Sequence, residues 1–216
     1  MLKCIETILL EPVGCLAEFP PEPFHEIASR FLGFKGDPVE SGSAAYWHLL
    51  ALLNGRPLPA EAGALEIQAV NTANIFEDVR PALAELKTMG VRLSVSSSLS
   101  RATACRFLEL HSLTEVFESV ASRDHAGGTL AAPLLDALRR ASLDPQKAIF
   151  LTDTAEGIKT ARIAGVHPVL MMNDPDEARR LATHDPAGGV VSLHELPDFI
   201  RLIAAQNSGQ SDAGRR

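Results

Sequence analysis

From residue 76 onward the chain alternates helix-like and strand-like segments, and this rhythm constrains the fold more than any other feature. Val79, Leu83, Leu86 and Met89 mark one helix face, with Pro81 in the first turn and Gly90 as the stop. Residues 91–95 alternate as a strand and end at Ser96, Ser97 and Ser98. A helix over 101–110, a short strand over 119–122 and a helix over 133–141 follow. The apolar run 147–151 reads as a buried strand that stops at Thr152 and Asp153. Residues 154–164 form a helix closed by Gly165, and 166–171 another strand. A helix over 176–183, an edge strand over 189–191 and a helix over 193–205 complete the series. Strands alternating with helices imply an α/β fold, a Rossmann-like parallel sheet with helices on both faces.

The front of the chain differs. Residues 4–10 form an apolar run that ends at Glu11-Pro12-Val13-Gly14, which predicts a buried strand feeding a tight loop. Residues 17–73 then carry three helical patterns, over 23–34, 43–53 and 59–72, with no strand between them. This divides the chain into a core of 1–16 and 74–205, a small all-helical cap over 17–73 and a polar tail over 206–216 expected to be disordered. In open parallel sheets, ligands sit at the carboxyl ends of the strands. Three such ends matter here, around Glu11–Cys15, Ser96–Ser98 and Thr152-Asp153, and the cap is inserted directly after the first.

Composition narrows the partners. A net charge of −7 with no basic stripe argues against nucleic acid. The apolar stretch at Ile8-Leu9-Leu10 is too short to span a membrane, and no cleavable signal pattern appears, so a cytoplasmic location is the default expectation. Cys4, Cys15 and Cys105 are too widely spaced for a zinc site and read as free thiols.

The stretches 76–86 and 153–165 closely resemble the haloacid dehalogenase superfamily of hydrolases, in its small helical-cap branch, similar to phosphoglycolate phosphatase and β-phosphoglucomutase. Asp153-Thr154-Ala155-Glu156-Gly157-Ile158 follows the family's D-S-x-x-G-I run. The resemblance implies a phosphatase-class core in which an aspartate after the first strand attacks phosphorus and a second aspartate moves the proton. Here that loop reads Glu11-Pro12-Val13-Gly14-Cys15-Leu16. Glu11 stands at the nucleophile position and Val13 at the acid/base position, where valine has no proton to give. Gly14 and Leu16 match the family pattern, whereas Cys15 replaces a threonine. The second motif, a hydroxyl that with nearby N–H groups holds phosphate oxygens, falls on Ser97, with Ser98 beside it. Gly14, Cys15, Ser97 and Ser98 are therefore the implied substrate-binding positions. The family's lysine is missing from 127–132, and Arg123 and His125 are the nearest cations. Asp153 matches the acidic fourth motif, either as a ligand of Mg²⁺ or as the N-cap of the following helix. The Glu11 carboxylate, the Val13 carbonyl and Asp153 are the implied ligands of a possible Mg²⁺.

Three functions compete. The first is a haloacid dehalogenase-like protein with impaired or lost phosphatase activity, a pseudoenzyme that binds a small phosphorylated or anionic metabolite or a protein partner. The second is an active hydrolase of phosphatase, phosphonatase or dehalogenase type that uses Glu11 in an altered loop. The third is a binding module that uses an apolar cap face around Tyr46, Trp47 and Leu49. Cys15 as a nucleophile would need a histidine brought to it by the fold.

Overall fold

The computed structural model describes residues 4–39, 41–54, 56–172 and 175–213, with no side-chain description for 175–178 and 206–213. A six-stranded parallel sheet forms the centre, in the order β5-β4-β1-β6-β7-β8. Its strands are β1 (Thr7–Leu10), β4 (Arg92–Ser97), β5 (Ser119–Ser122), β6 (Ala148–Thr152), β7 (His167–Met171) and β8 (Gly188–Val190). The fold class is thus the Rossmann-like α/β layering with a helical insertion. Ile8, Leu9 and Leu10 have no exposed surface, because β1 is covered on both faces and flanked by β4 and β6.

The register sets the site. Leu10 is level with Val95 of β4 and Leu151 of β6. One residue further on, Glu11, Ser96 and Thr152 therefore reach the same height at the carboxyl end of the sheet. The chain leaves β1 through α1 (Pro12–Cys15), a single turn in which Val13 and Gly14 are not helical.

Two short strands, β2 (Ala17–Glu18) and β3 (Asn74–Ile75), pair antiparallel and form both crossings between core and insertion. The insertion holds α2 (Glu22–Leu32), α3 (Gly42–Leu53) and α4 (Gly63–Asn71). On the core side, α5 (Val79–Thr88), α6 (Arg101–Leu110), α7 (Arg123–Ala126), α8 (Ala131–Arg140), α9 (Ala155–Ala164), α10 (Pro175–Ala182) and α11 (Leu196–Ala213) complete the molecule.

Insertion and core share one hydrophobic cluster, which runs from Leu9 and Val95 to Trp47 and Leu53. An aromatic chain crosses the boundary: Phe24 lies 5.3 Å from Tyr46, and Phe19 lies 5.5 Å from Phe107 of α6. Tyr46, Trp47 and Leu49 are all at least 98 % buried. The expected apolar docking face on the cap is therefore interior, and the third functional reading loses its surface.

Several boundaries moved. The final helix runs from Leu196 to Ala213, into the polar tail that begins at residue 206. The loop 11–16 contains a single helical turn, and Ala17–Glu18 form β2, where the all-helical cap was expected to begin. Thr154, and not Asp153, caps α9: its hydroxyl accepts from the Gly157 N–H. Among the described residues, no helix is long and apolar enough to cross a membrane.

Candidate active site

The three strand ends meet under α3. Glu11 follows β1, Ser97 ends β4 and Asp153 follows β6. Glu11 is 98 % buried, and its carboxyl group is surrounded by donors. The Ser97 hydroxyl donates to Glu11 Oε1 at 2.6 Å. The Tyr46 hydroxyl and the Ser98 N–H both donate to Oε2, at 3.0 Å and 3.3 Å. A backbone bond from Val13 adds a further donor. The Glu11 side chain thus turns back into its own loop and across to β4, and the cap closes it from above.

Burial dominates the electrostatics of this carboxyl group. It pushes the Glu11 pKa up to about 8 from 4.5, although each of those bonds pulls the other way. Hydroxyls and amides favour the ionised form too weakly to replace the lost water. A fixed cation would have done so, and among the described residues no basic side chain acts on Glu11.

Asp153 is half-buried and accepts a 2.7 Å bond from the Ser43 hydroxyl on α3. Gly14 packs beside it: a Cβ on Gly14 would lie 2.2 Å from Asp153 Oδ2 and 2.6 Å from Ser43 Oγ. With φ at +79°, position 14 needs glycine for its backbone as well as for space. Cys15 is buried, and its thiol donates to the Leu151 carbonyl at 3.4 Å. Burial, with the carboxyl groups of Asp153 and Glu11 adding to it, pushes the Cys15 pKa well up. A thiol held in its protonated form is a poor nucleophile, so the cysteine reading fails.

Ser98 contributes on two sides. Its N–H reaches Glu11, and its hydroxyl accepts the Leu130 N–H at 2.8 Å. Leu130 lies in the segment that lacks the expected lysine, with φ +59° and ψ −114°. Arg123, the nearest candidate replacement, faces elsewhere. Its guanidinium pairs with Glu66 of α4 at 2.5 Å and 2.8 Å and donates to the Ser98 carbonyl at 3.0 Å. His125 bonds to Ser122. Ser43 and Glu66 were not visible in the sequence as site residues, and Tyr46 was read as an apolar cap face, because nothing near them in the chain signals a partner across the cap boundary.

The sheet order, the helical insertion after the first strand and the convergence of Glu11, Ser97 and Asp153 define a hydrolase-type core with a cap. A family model described as haloacid dehalogenase-like hydrolase matches residues 62–171, and the chain belongs to that family. The match begins after the Glu11 loop and covers α4 through β7. A protein-tyrosine kinase of Mycobacterium tuberculosis, PtkA, is 30 % identical over 100 residues, 45 % of this chain and 34 % of that protein. Enolase-phosphatase E1 of Frankia alni is 32 % identical over 134 residues, 58 % of this chain and 53 % of that protein. This chain thus spans only a third to a half of these relatives. A haloacid dehalogenase-like hydrolase from Bacteroides fragilis superposes with a TM-score of 0.69 at 18 % identity, over 89 % of this chain and 99 % of that one, which shows a shared fold.

Mg²⁺ is the cation implied by the family's phosphatases, and the Glu11 and Asp153 oxygens that would hold it are engaged by protein hydrogen-bond donors in this closed arrangement. It requires oxygen ligands with lone pairs turned towards it in near-octahedral order. Both Glu11 oxygens face hydrogen-bond donors, and Asp153 Oδ1 faces the Ser43 hydroxyl. Among the described residues, no cluster of three or more His, Cys, Asp or Glu side chains could hold a metal.

Proposed function

We propose that this member of the haloacid dehalogenase-like hydrolase family has lost most or all of its phosphoryl-transfer activity and acts by binding. The observation that carries this is the Glu11 carboxyl group, buried with each oxygen engaged by a donor from Ser97, Tyr46 or Ser98. A nucleophile needs a free, ionised oxygen aligned with phosphorus, and a misplacement of about 1 Å costs on the order of a hundredfold. Val13 leaves the acid/base role unfilled, a loss of roughly a hundred- to ten-thousandfold. Arg123, the candidate replacement for the family's lysine, is committed to Glu66, which weakens the electrostatic support for phosphoryl transfer. The ligand of such a protein is a small anionic or phosphorylated metabolite, admitted when the cap lifts, or a protein partner.

The test is an assay with Mg²⁺ on p-nitrophenyl phosphate and a panel of sugar phosphates. We expect no turnover above that of a Glu11→Ala control. Mg²⁺-dependent turnover that Glu11→Ala abolishes would overturn the proposal and establish Glu11 as the nucleophile of an active hydrolase.

A further inference from the structure

A cap that admits ligands must be able to lift, yet this one is tied to the groups it covers. Ser43 and Tyr46 are three residues apart on α3 and so share one helix face. Ser43 binds Asp153 and Tyr46 binds Glu11, so each of the two carboxyl groups at the strand ends is held by a hydroxyl from the same face. The seating is close as well as polar. A Cβ on Gly42, the first residue of α3, would lie 1.8 Å from the Phe19 carbonyl oxygen in the linker. Gly14 allows the same close approach from below, against Ser43. Away from the site, Arg106 Nε of α6 donates to Asn71 Oδ1 of α4 at 3.3 Å, and Glu66 pairs with Arg123.

We infer that the Ser43 and Tyr46 hydroxyls form a latch that holds the cap shut, with these two side chains as the built-in occupants of the space over Glu11 and Asp153. The inference rests on geometry and holds whether or not the site retains activity. It makes the cap's resting state closed and places two hydroxyl bonds on one helix face among the contacts that ligand entry must break, beside the Glu66–Arg123 pair and the shared apolar cluster. Tyr46→Phe and Ser43→Ala remove only the latching atoms and keep most of the packing.

Hydrogen–deuterium exchange read by mass spectrometry tests it. In the wild type, peptides covering 11–16 and 96–99 should be as protected as β6 and β7. In the Tyr46→Phe/Ser43→Ala variant they should exchange at least tenfold faster, with β6 and β7 unchanged. Unchanged exchange at 11–16 and 96–99 would overturn the latch. Equal acceleration throughout the core would also overturn it, since the two bonds would then support the whole fold and not the cap alone. Should the double variant not fold, Tyr46→Phe alone gives the same reading with a smaller acceleration at the same two segments. Because the readout is not turnover, its failure is distinct from failure of the activity proposal.

Discussion

Two carboxyl groups lie deep between cap and core, and the chain treats them in opposite ways. Glu11 and Glu66 are each 98 % buried. Glu66 meets a guanidinium through two bonds from Arg123. Glu11 meets only hydroxyls and amides. Burial raises both pKa values, but at Glu66 the bonds and charge of Arg123 oppose it directly. Arg123 is thus placed at the cap–core joint, where it bridges Glu66 and the Ser98 carbonyl.

The largest effect expected from this contrast is a pH dependence of stability that traces to Glu11. Its folded pKa is raised, so its contribution is full below about 4.5, falls as pH rises and levels off above about 8. The full swing is up to about 5 kcal/mol. Glu11→Gln, which mimics the neutral acid, should match the wild type near pH 4.5, exceed it at pH 8 and flatten the curve between. Urea denaturation across that range checks it; a parallel decline in the variant would show that Glu11 is not the group responsible.

Next in size is the joint. Arg123→Leu leaves Glu66 buried without its cation, which should cost about 3–5 kcal/mol at pH 7. Arg123→Leu/Glu66→Gln should recover much of that loss, because the uncompensated charge is gone. Denaturant midpoints for the two variants decide it. A double variant no more stable than the single one would mean that Arg123 acts through the Ser98 carbonyl and not through Glu66.

The fold was largely legible in the sequence, and the site only by half. The alternation of strand-like and helix-like segments after residue 76 gave away the parallel sheet, most clearly at the apolar run 147–151 and at 166–171. α6 and β5 fall on the expected residues, Arg101–Leu110 and Ser119–Ser122. The β2–β3 ribbon was invisible, because two residues per strand establish no period. Glu11, Ser97 and Asp153 could be placed at strand ends from their positions alone. Their partners could not. Tyr46 is 35 residues from Glu11, Ser43 is 110 from Asp153 and Arg123 is 57 from Glu66, so these bonds exist only once the cap is packed. The same gap explains the open choice at Asp153. Thr154 takes the capping role, and Ser43 engages the aspartate.

The smallest effect bears on how Glu11 remains tolerable without a cation. Ser97 gives it the shortest of its bonds, at 2.6 Å, and accepts the Leu99 N–H at 3.1 Å. Ser97→Ala removes both, for a cost of about 1–2 kcal/mol. That bond is also the strongest of the contacts that favour ionisation of Glu11. Its loss should therefore move the Glu11 pKa further up and push the end of the stability decline to higher pH. Denaturation of Ser97→Ala between pH 7 and 10 tests both parts. A loss of stability with the pH profile unmoved would mean that Ser97 serves the turn at Leu99 alone, and that the burial of Glu11 is compensated from the cap side by Tyr46.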